Sequence, residues 1–193
     1  MKRLAVLLLV LGLTGCAGLS ELESINSLGT NEIVLTGRIE LDPPLRQEEQ
    51  ELLALGSGRY RNKLMLVVGE DYINLNEPGF DALRNSAAVT LGEDFHIRVA
   101  RHDQLILSGG IILMGADSRG RTDYMRLPGK ARFNVNTDDE AVYIGTIVFH
   151  RDHYNGITGI DIIDEHHIAQ RTFRNTFGGT LRSRKASLEN LQD

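Results

Sequence analysis

The stretch "IVLTGRIEL", residues 33 to 41, carries the clearest strand pattern in the chain. Two sets of residues alternate along it: Ile33, Leu35, Gly37, Ile39 and Leu41 on one side, and Val34, Thr36, Arg38 and Glu40 on the other. A period of two with one apolar side predicts a β-strand with one buried face. The following Asp42-Pro43-Pro44 ends the strand, because proline donates no hydrogen bond to a ladder and keeps the preceding residue extended.

Several further segments show strand patterns and are separated by turn residues. They are 63–75, 95–101, 105–115, 131–136, 141–149 and 156–163. The first of them is compatible with one bent strand or with two strands. Segment 105–115, "LILSGGIILMG", is either a tight hairpin or one buried strand with a glycine bulge at Gly109-Gly110. The turn Thr137-Asp138-Asp139 between 131–136 and 141–149 predicts a hairpin.

Two segments favour helices. Residues 46–53, "RQEEQELL", predict one or two turns, and Asp164 is suited to cap a helix over 165–177 that stops at Gly178-Gly179. Short strands separated by turns and followed by one helix predict a mainly β chain. We expect an antiparallel β-sandwich, immunoglobulin-like or barrel-like, with one C-terminal helix.

The N-terminus has the pattern of an export signal. Met1-Lys2-Arg3 is basic, and the apolar run from Leu4 to Leu13 follows it directly. This run is well short of the roughly 20 residues that a helix needs to cross a bilayer. The pattern therefore predicts a signal peptide over residues 1–15 rather than a membrane span.

The residues around the single cysteine carry a family resemblance. Leu13-Thr14-Gly15-Cys16 resembles the lipobox of bacterial lipoproteins. The resemblance implies that a diacylglycerol is joined to the Cys16 thiol, that the signal is cut just before it, and that the new amino group is acylated. An Asp after the cysteine tends to retain such proteins in the inner membrane. Here Ala17 stands there, which implies a lipid anchor in the outer membrane, facing the periplasm.

The remaining chain divides into three parts. Residues 16–31 comprise the lipidated cysteine and a flexible tether, 32–178 the sandwich domain with its helix, and 179–193 a polar tail. A flexible tether of this length would span on the order of 20 Å. Within the domain, the "YIGTI" strand, the next strand and the helix opening at Asp164 loosely resemble sandwich domains of envelope lipoproteins. No functional residue is transferred by that resemblance.

Charge limits the choice of partners. The formal net charge is -5, so the overall field does not attract nucleic acid. Basic residues nevertheless gather towards the C-terminus: Arg171, Arg174, Arg182 and Arg184. They are typical of a solvated helix face with a basic tail, and they are also the candidate docking patch for an anionic partner.

Histidines concentrate in one part of the chain: His150, His153, His166 and His167. The spacing of His150 and His153 suits a metal site on a turn, and carboxylates lie nearby in sequence, so zinc or copper is the candidate metal. The other interpretation of "HRDHYNG" is a polar loop between two strands. His166 and His167 are expected at exposed positions at the start of a helix.

Catalytic patterns are weak throughout the sequence. The serines lack a strand-to-helix GxSxG turn, the one thiol is used for lipid, and no glycine loop carries the Lys-Ser/Thr of a phosphate site. We therefore expect a non-catalytic structural or interaction module whose partners are the membrane and other envelope proteins. The alternative is a module that binds a metal or a small apolar ligand between its sheets. A metal-dependent hydrolase would require three converging ligands.

Overall fold

The computed structural model describes residues 19–54, 62–76, 84–116, 122–179 and 181–191. The strands are β1 (Ser20–Glu21), β2 (Glu32–Asp42), β3 (Lys63–Gly69), β4 (Ser86–Thr90), β5 (Asp94–Ala100), β6 (Gln104–Ala116), β7 (Thr122–Asn134), β8 (Ala141–Arg151), β9 (Ile157–Ile163), β10 (Ser183–Lys185) and β11 (Glu189–Asn190). The helices are α1 (Gln47–Ala54), α2 (His166–Phe177) and a 3-10 turn at Ile25–Ser27. No helix in these ranges is long and apolar enough to cross a membrane.

The strands form two sheets, and the predicted mainly β sandwich with a C-terminal helix is confirmed. Sheet A has the order β1-β5-β2-β8-β10, with β9 also paired to β8. Sheet B has the order β11-β7-β6-β3-β4 and is antiparallel throughout. In sheet A, β8 runs parallel to both β2 and β10. A parallel pair needs a long connection, and the chain between β2 and β8 builds most of sheet B.

The period-two pattern of β2 correctly predicts the inner face of sheet A. Ile33, Leu35 and Ile39 are at most 1% exposed and belong to the core between the sheets. The opposite face is also buried near the start of the strand, since Val34 is 0% exposed and packs with Phe173 of α2. Burial on both faces explains why the expected polar side of β2 is polar only in its second half.

Strand β6 decides between the two interpretations of "LILSGGIILMG". It is one strand with a register shift between Leu107 and Gly109 rather than a hairpin. Gly109 has a φ of +105°, and a Cβ there would lie 2.2 Å from the Leu127 carbonyl oxygen of β7. Only glycine permits this close approach of two backbones. Of the segment 63–75, only the first part is a strand, because β3 ends at Gly69.

The predicted hairpin across Thr137-Asp138-Asp139 is wrong. Strand β7 belongs to sheet B and β8 to sheet A, so this turn carries the chain from one sheet to the other. Asp139 is 5% exposed and accepts a hydrogen bond from the Asn136 amide at 2.8 Å. Turn residues signal a reversal of the chain, but they do not determine which strands pair after it.

Both ends of the described chain pack on the sandwich where a tether and a tail were expected. Leu22 is 3% exposed, and its N–H donates to the His96 carbonyl at 2.8 Å. The guanidinium of Arg98 donates to Ser20 Oγ at 2.7 Å and thereby holds β1 against β5. At the other end, β10 joins sheet A and β11 joins sheet B, so the segment between them bridges the two sheets. Each segment covers a strand edge that would otherwise leave its backbone groups unpaired.

Candidate functional site

Cys16, the predicted lipidation site, lies outside the described residues. The first described residue, Leu19, is three positions later and packs against the core. Three peptide units span at most about 10 Å. The chain therefore keeps Cys16 within about 10 Å of Leu19.

The predicted metal pair separates into two different environments. His150 lies between two carboxylates, with Nδ1 3.0 Å from Asp42 Oδ2 and Nε2 2.9 Å from Asp161 Oδ2. The ring of His153 instead lies against Tyr154, with centroids 3.7 Å apart. The described ranges contain no group of three or more His, Cys, Asp or Glu placed to hold a metal. The geometry of His150 favours an ionic link between β2, β8 and β9.

The hydrogen bonds with Asp161 and Asp42 raise the pKa of His150 above its ordinary value. A protonated imidazole satisfies both carboxylates, because each ring nitrogen then donates a hydrogen. The strength of the contact between His150 and the two carboxylates therefore depends on whether the imidazole is protonated.

The four predicted arginines do not form one patch. Arg184 is bound to Asp139, with Nη2 2.8 Å from Oδ2, and also donates to the Asn134 carbonyl at 2.6 Å. Arg182 is exposed and 3.9 Å from Asp138. Arg171 and Arg174 lie on α2, and both are exposed. Arg184 therefore secures the turn between β7 and β8, and the other three arginines face solvent.

A pocket between α2 and sheet A is the site with the best-defined polar groups. We call it the helix–sheet pocket; it is lined by Thr36, Ala141, His166, Ala169, Gln170, Phe173, Arg174, Leu181 and Ser183. Its volume is about 120 Å³. The sequence places side chains there from α2 at steps of three and four residues, which is the spacing that puts them on one helix face. The segment after α2, which pairs with β8, contributes two further lining residues, Leu181 and Ser183.

Three polar side chains meet at one side of this pocket. Ser183 Oγ accepts a hydrogen bond from Gln170 Nε2 at 2.9 Å and lies 3.0 Å from His166 Nε2. Partial burial lowers the pKa of His166, and the nearby Asp164 only partly offsets this. A neutral imidazole can accept the Ser183 proton at Nε2. The ring also stacks on Tyr143 at 5.4 Å between centroids, which fixes its orientation.

Beneath the pocket, Thr36 contacts another histidine, His96, which is buried. Thr36 Oγ1 lies 2.9 Å from His96 Nδ1, and His96 is 7% exposed. Burial lowers the pKa of His96, so the neutral ring is favoured there. Its ring packs edge-on against Phe173 and Phe177 of α2. Thr36 is thus held in place by a partner that lies outside the pocket.

Strand β9, which pairs with β8 in sheet A, presents an apolar surface. Among the described residues, β9 pairs only with β8. Ile160, Ile162 and Ile163 on this strand are 45%, 55% and 47% exposed. Exposed branched side chains on an open strand edge are uncommon in a solvated sheet, because such an edge can pair with another chain.

Sequence reasoning identified some of these residues and gave them other roles. His166 was expected to be solvent-exposed, and Arg174 was grouped with three other arginines. The pocket itself had no signal, since Thr36 and Ser183 are far apart in sequence and meet only through the pairing of β2, β8 and β10. Comparison with protein families, curated proteins and solved structures finds no match to this chain.

Proposed function

We propose that this protein is a lipid-anchored envelope protein, a non-catalytic interaction module held against the outer membrane by Cys16 and facing the periplasm. The observation that carries the proposal is the lipobox Leu13-Thr14-Gly15-Cys16, three positions before a residue that packs on the sandwich. Three acyl chains bury enough methylene groups, at about 0.8 kcal/mol each, to make the attachment effectively permanent.

The packing of the N-terminal segment supports a body that lies close to the lipid. Ser20 is held by Arg98, and Leu22 is inserted beside α2. A flexible tether of 16 residues would allow the body to move on the order of 20 Å from the headgroups, whereas three peptide units allow about 10 Å. Partners would then be other proteins at the membrane surface.

The open edge of β9 supports the interaction role. A strand with exposed isoleucines that, among the described residues, pairs on one side only suits an extended segment of another envelope protein, which would add to sheet A by backbone hydrogen bonds. Ile162 is the most exposed of the three isoleucines at 55% and is the natural position for a probe.

The anchor is tested by the mass of the mature protein extracted from membranes. We expect a mass that fits a chain starting at Cys16 with three acyl chains, and a Cys16→Ser variant that stays uncleaved or leaves the membrane fraction. Ser24→Ala, eight positions later and on an exposed turn, serves as the control and retains the lipid. An unmodified mass with a free thiol would refute the proposal.

The interaction role is tested by a photo-crosslinking amino acid at position 162 in intact cells. The expected result is a discrete adduct with an envelope protein. The same probe at exposed Asn175, on α2, is the control and gives no such adduct. Equal labelling from both positions, or from neither, would contradict a partner on the β9 edge.

A further inference from the structure

We propose that the helix–sheet pocket binds a small organic monocarboxylate, with the carboxylate on Arg174 and the carbon chain between α2 and sheet A. This inference concerns α2 and β10, and it does not depend on the lipid anchor or on the β9 edge. It rests on the shape of the pocket, on its charge and on the placement of its polar groups.

The pocket exists because small residues face each other across it. Ala141 of β8 is 2% exposed and Ala169 of α2 is 5% exposed, so both line the space without filling it. Phe173 and Leu181 complete an apolar wall. A volume of about 120 Å³ is well above the roughly 10–15 Å³ that one water needs by the same measure, so the pocket has room for a small organic ligand.

The charge of the lining favours an anion. Arg174 follows Gln170 by one helical turn and lines the pocket, and its guanidinium makes no hydrogen bond or ion pair to any residue that the structure describes. None of the described lining residues is a carboxylate. Asp164, two positions before His166, is already paired with Lys185 Nζ at 2.6 Å. A guanidinium without a partner beside an apolar cavity is suited to a carboxylate, which it binds through two parallel hydrogen bonds.

The other polar groups fix the orientation of such a ligand. Gln170 and His166 both bond Ser183 Oγ, so they form a fixed polar corner rather than three free groups. The Gln170 amide has a second N–H, which is available to an anion held by Arg174. An amine of the same size would be repelled by Arg174, and an alcohol would leave the guanidinium unpaired.

The Ser183–His166 contact does not by itself make a hydrolase. In the known Ser-His arrangement a third group orients the imidazole. In the described part of the chain no residue bonds His166 Nδ1 through its side chain, and the Asp164 carboxylate bonds the His166 backbone amide at 3.2 Å instead. Binding without bond cleavage is therefore what this constellation supports.

The test is calorimetric titration of the purified, intact protein with sodium butyrate. Butan-1-ol and butylammonium chloride are the uncharged and cationic probes of matching size. We expect butyrate to bind with a Kd on the order of 1 mM or tighter, and the other two to produce no saturable heat.

Two variants on the same helix provide the matched comparison. Arg174→Ala should weaken butyrate binding at least about tenfold, because it removes the charge-assisted pair. Arg171→Ala removes an equally exposed arginine that does not line the pocket, and binding should stay within about twofold. Neither arginine makes a side-chain hydrogen bond or ion pair with a residue that the structure describes, so both variants should melt like the wild type.

A third variant reports on the cavity itself. Ala169→Val adds two methyl groups to the wall, and it should weaken butyrate more than acetate, which is shorter. The proposal is overturned if butyrate binds no better than butan-1-ol. Equal loss of affinity in Arg174→Ala and Arg171→Ala would overturn it as well, because non-specific attraction by surface charge gives that result.

Discussion

The buried ion pair between Arg151 and Glu49 should be the most costly ion pair to break among the described residues. Arg151 ends β8, and its side chain is 2% exposed. It donates to Glu49 Oε2 at 2.9 Å and to the carbonyls of Pro43 and Pro44 at 2.8 and 2.6 Å. One guanidinium therefore joins β8 to α1 and to the loop that follows β2.

The cost follows from burial. Removing one member of a buried pair leaves the other charge without compensation, which costs about 3–5 kcal/mol. We take about 4 kcal/mol for Arg151→Met, which keeps most of the side-chain volume but leaves two carbonyls without their donor and Glu49 with only the exposed Arg46 as a charged partner. Since 1 kcal/mol shifts the Tm of a domain of this size by about 2–4 °C, the expected fall is about 10 °C.

The assay is thermal unfolding followed by circular dichroism, with Arg46→Met as the control. Arg46 bonds the same carboxylate at 3.0 Å from the outside, and its side chain is 57% exposed. Removing it should cost at most about 1 kcal/mol, since exposed pairs are screened by water. Equal shifts for Arg151→Met and Arg46→Met would refute the argument that burial sets the cost.

The pH dependence gives an independent check. The hydrogen bond from Arg151 lowers the pKa of Glu49 well below its usual range, and Arg46 adds to this. A carboxylate whose folded-state pKa is depressed stabilises the protein above its unfolded pKa of about 4.3 and loses that contribution as the pH falls through the folded pKa. The stability gap between wild type and Glu49→Gln should therefore be constant near neutral pH and shrink in acid.

Three further outcomes are expected. Gly109→Ala should lower the free energy of unfolding in urea by about 3 kcal/mol, because the new methyl group meets a backbone oxygen of β7. The control Gly92→Ala, with a φ of +78° but open space around it, should lose only about 1 kcal/mol. His150→Gln should destabilise the protein more at about pH 5 than at about pH 8, since a raised folded-state pKa stabilises below the unfolded value and is lost as the pH rises; the reverse trend in urea titrations would contradict this. Arg98→Ala should release β1, so that amide exchange at Leu22 accelerates at least about tenfold by mass spectrometry; unchanged protection would refute the clamp.

Periodicity predicted the parts of the fold that depend on neighbours in sequence. The alternation in β2 identified Ile33, Leu35 and Ile39 as core residues, and Gly178 ends α2 in the left-handed conformation, as the expected glycine stop requires. The N-cap is Glu165, whose side chain makes no cap hydrogen bond, rather than the expected Asp164. Asp164, one position earlier, accepts a hydrogen bond from the His166 amide at 3.2 Å. Local rules of this kind need no knowledge of tertiary structure.

Pairing between distant segments was not predictable in the same way. The pattern around Asp139 indicated a reversal of the chain, but the strands on either side pair with β6 and β2 rather than with each other. The polar appearance of residues 179–193 also concealed two short strands, because a two- or three-residue strand is too short to show a period. The helix–sheet pocket depends on these distant pairings, and so its residues could be identified only as separate candidates.

Burial, rather than the first clear strand, marks where the folded domain begins. Val34 is 0% exposed because Leu22 and Phe173 cover it, and these residues share one apolar cluster on the outer face of sheet A. Phe173 also lines the helix–sheet pocket, so the N-terminal segment and the proposed ligand lie against the same helix. When the N-terminal segment packs on α2, the helix loses conformational freedom, and the ligand then has less of that freedom to remove when it binds. The N-terminal segment and the ligand should therefore stabilise each other's contacts with α2. Residues 19–28 therefore belong to the folded domain and support the helix that lines the pocket. Only the residues between Cys16 and Leu19 remain to connect the domain to the proposed anchor.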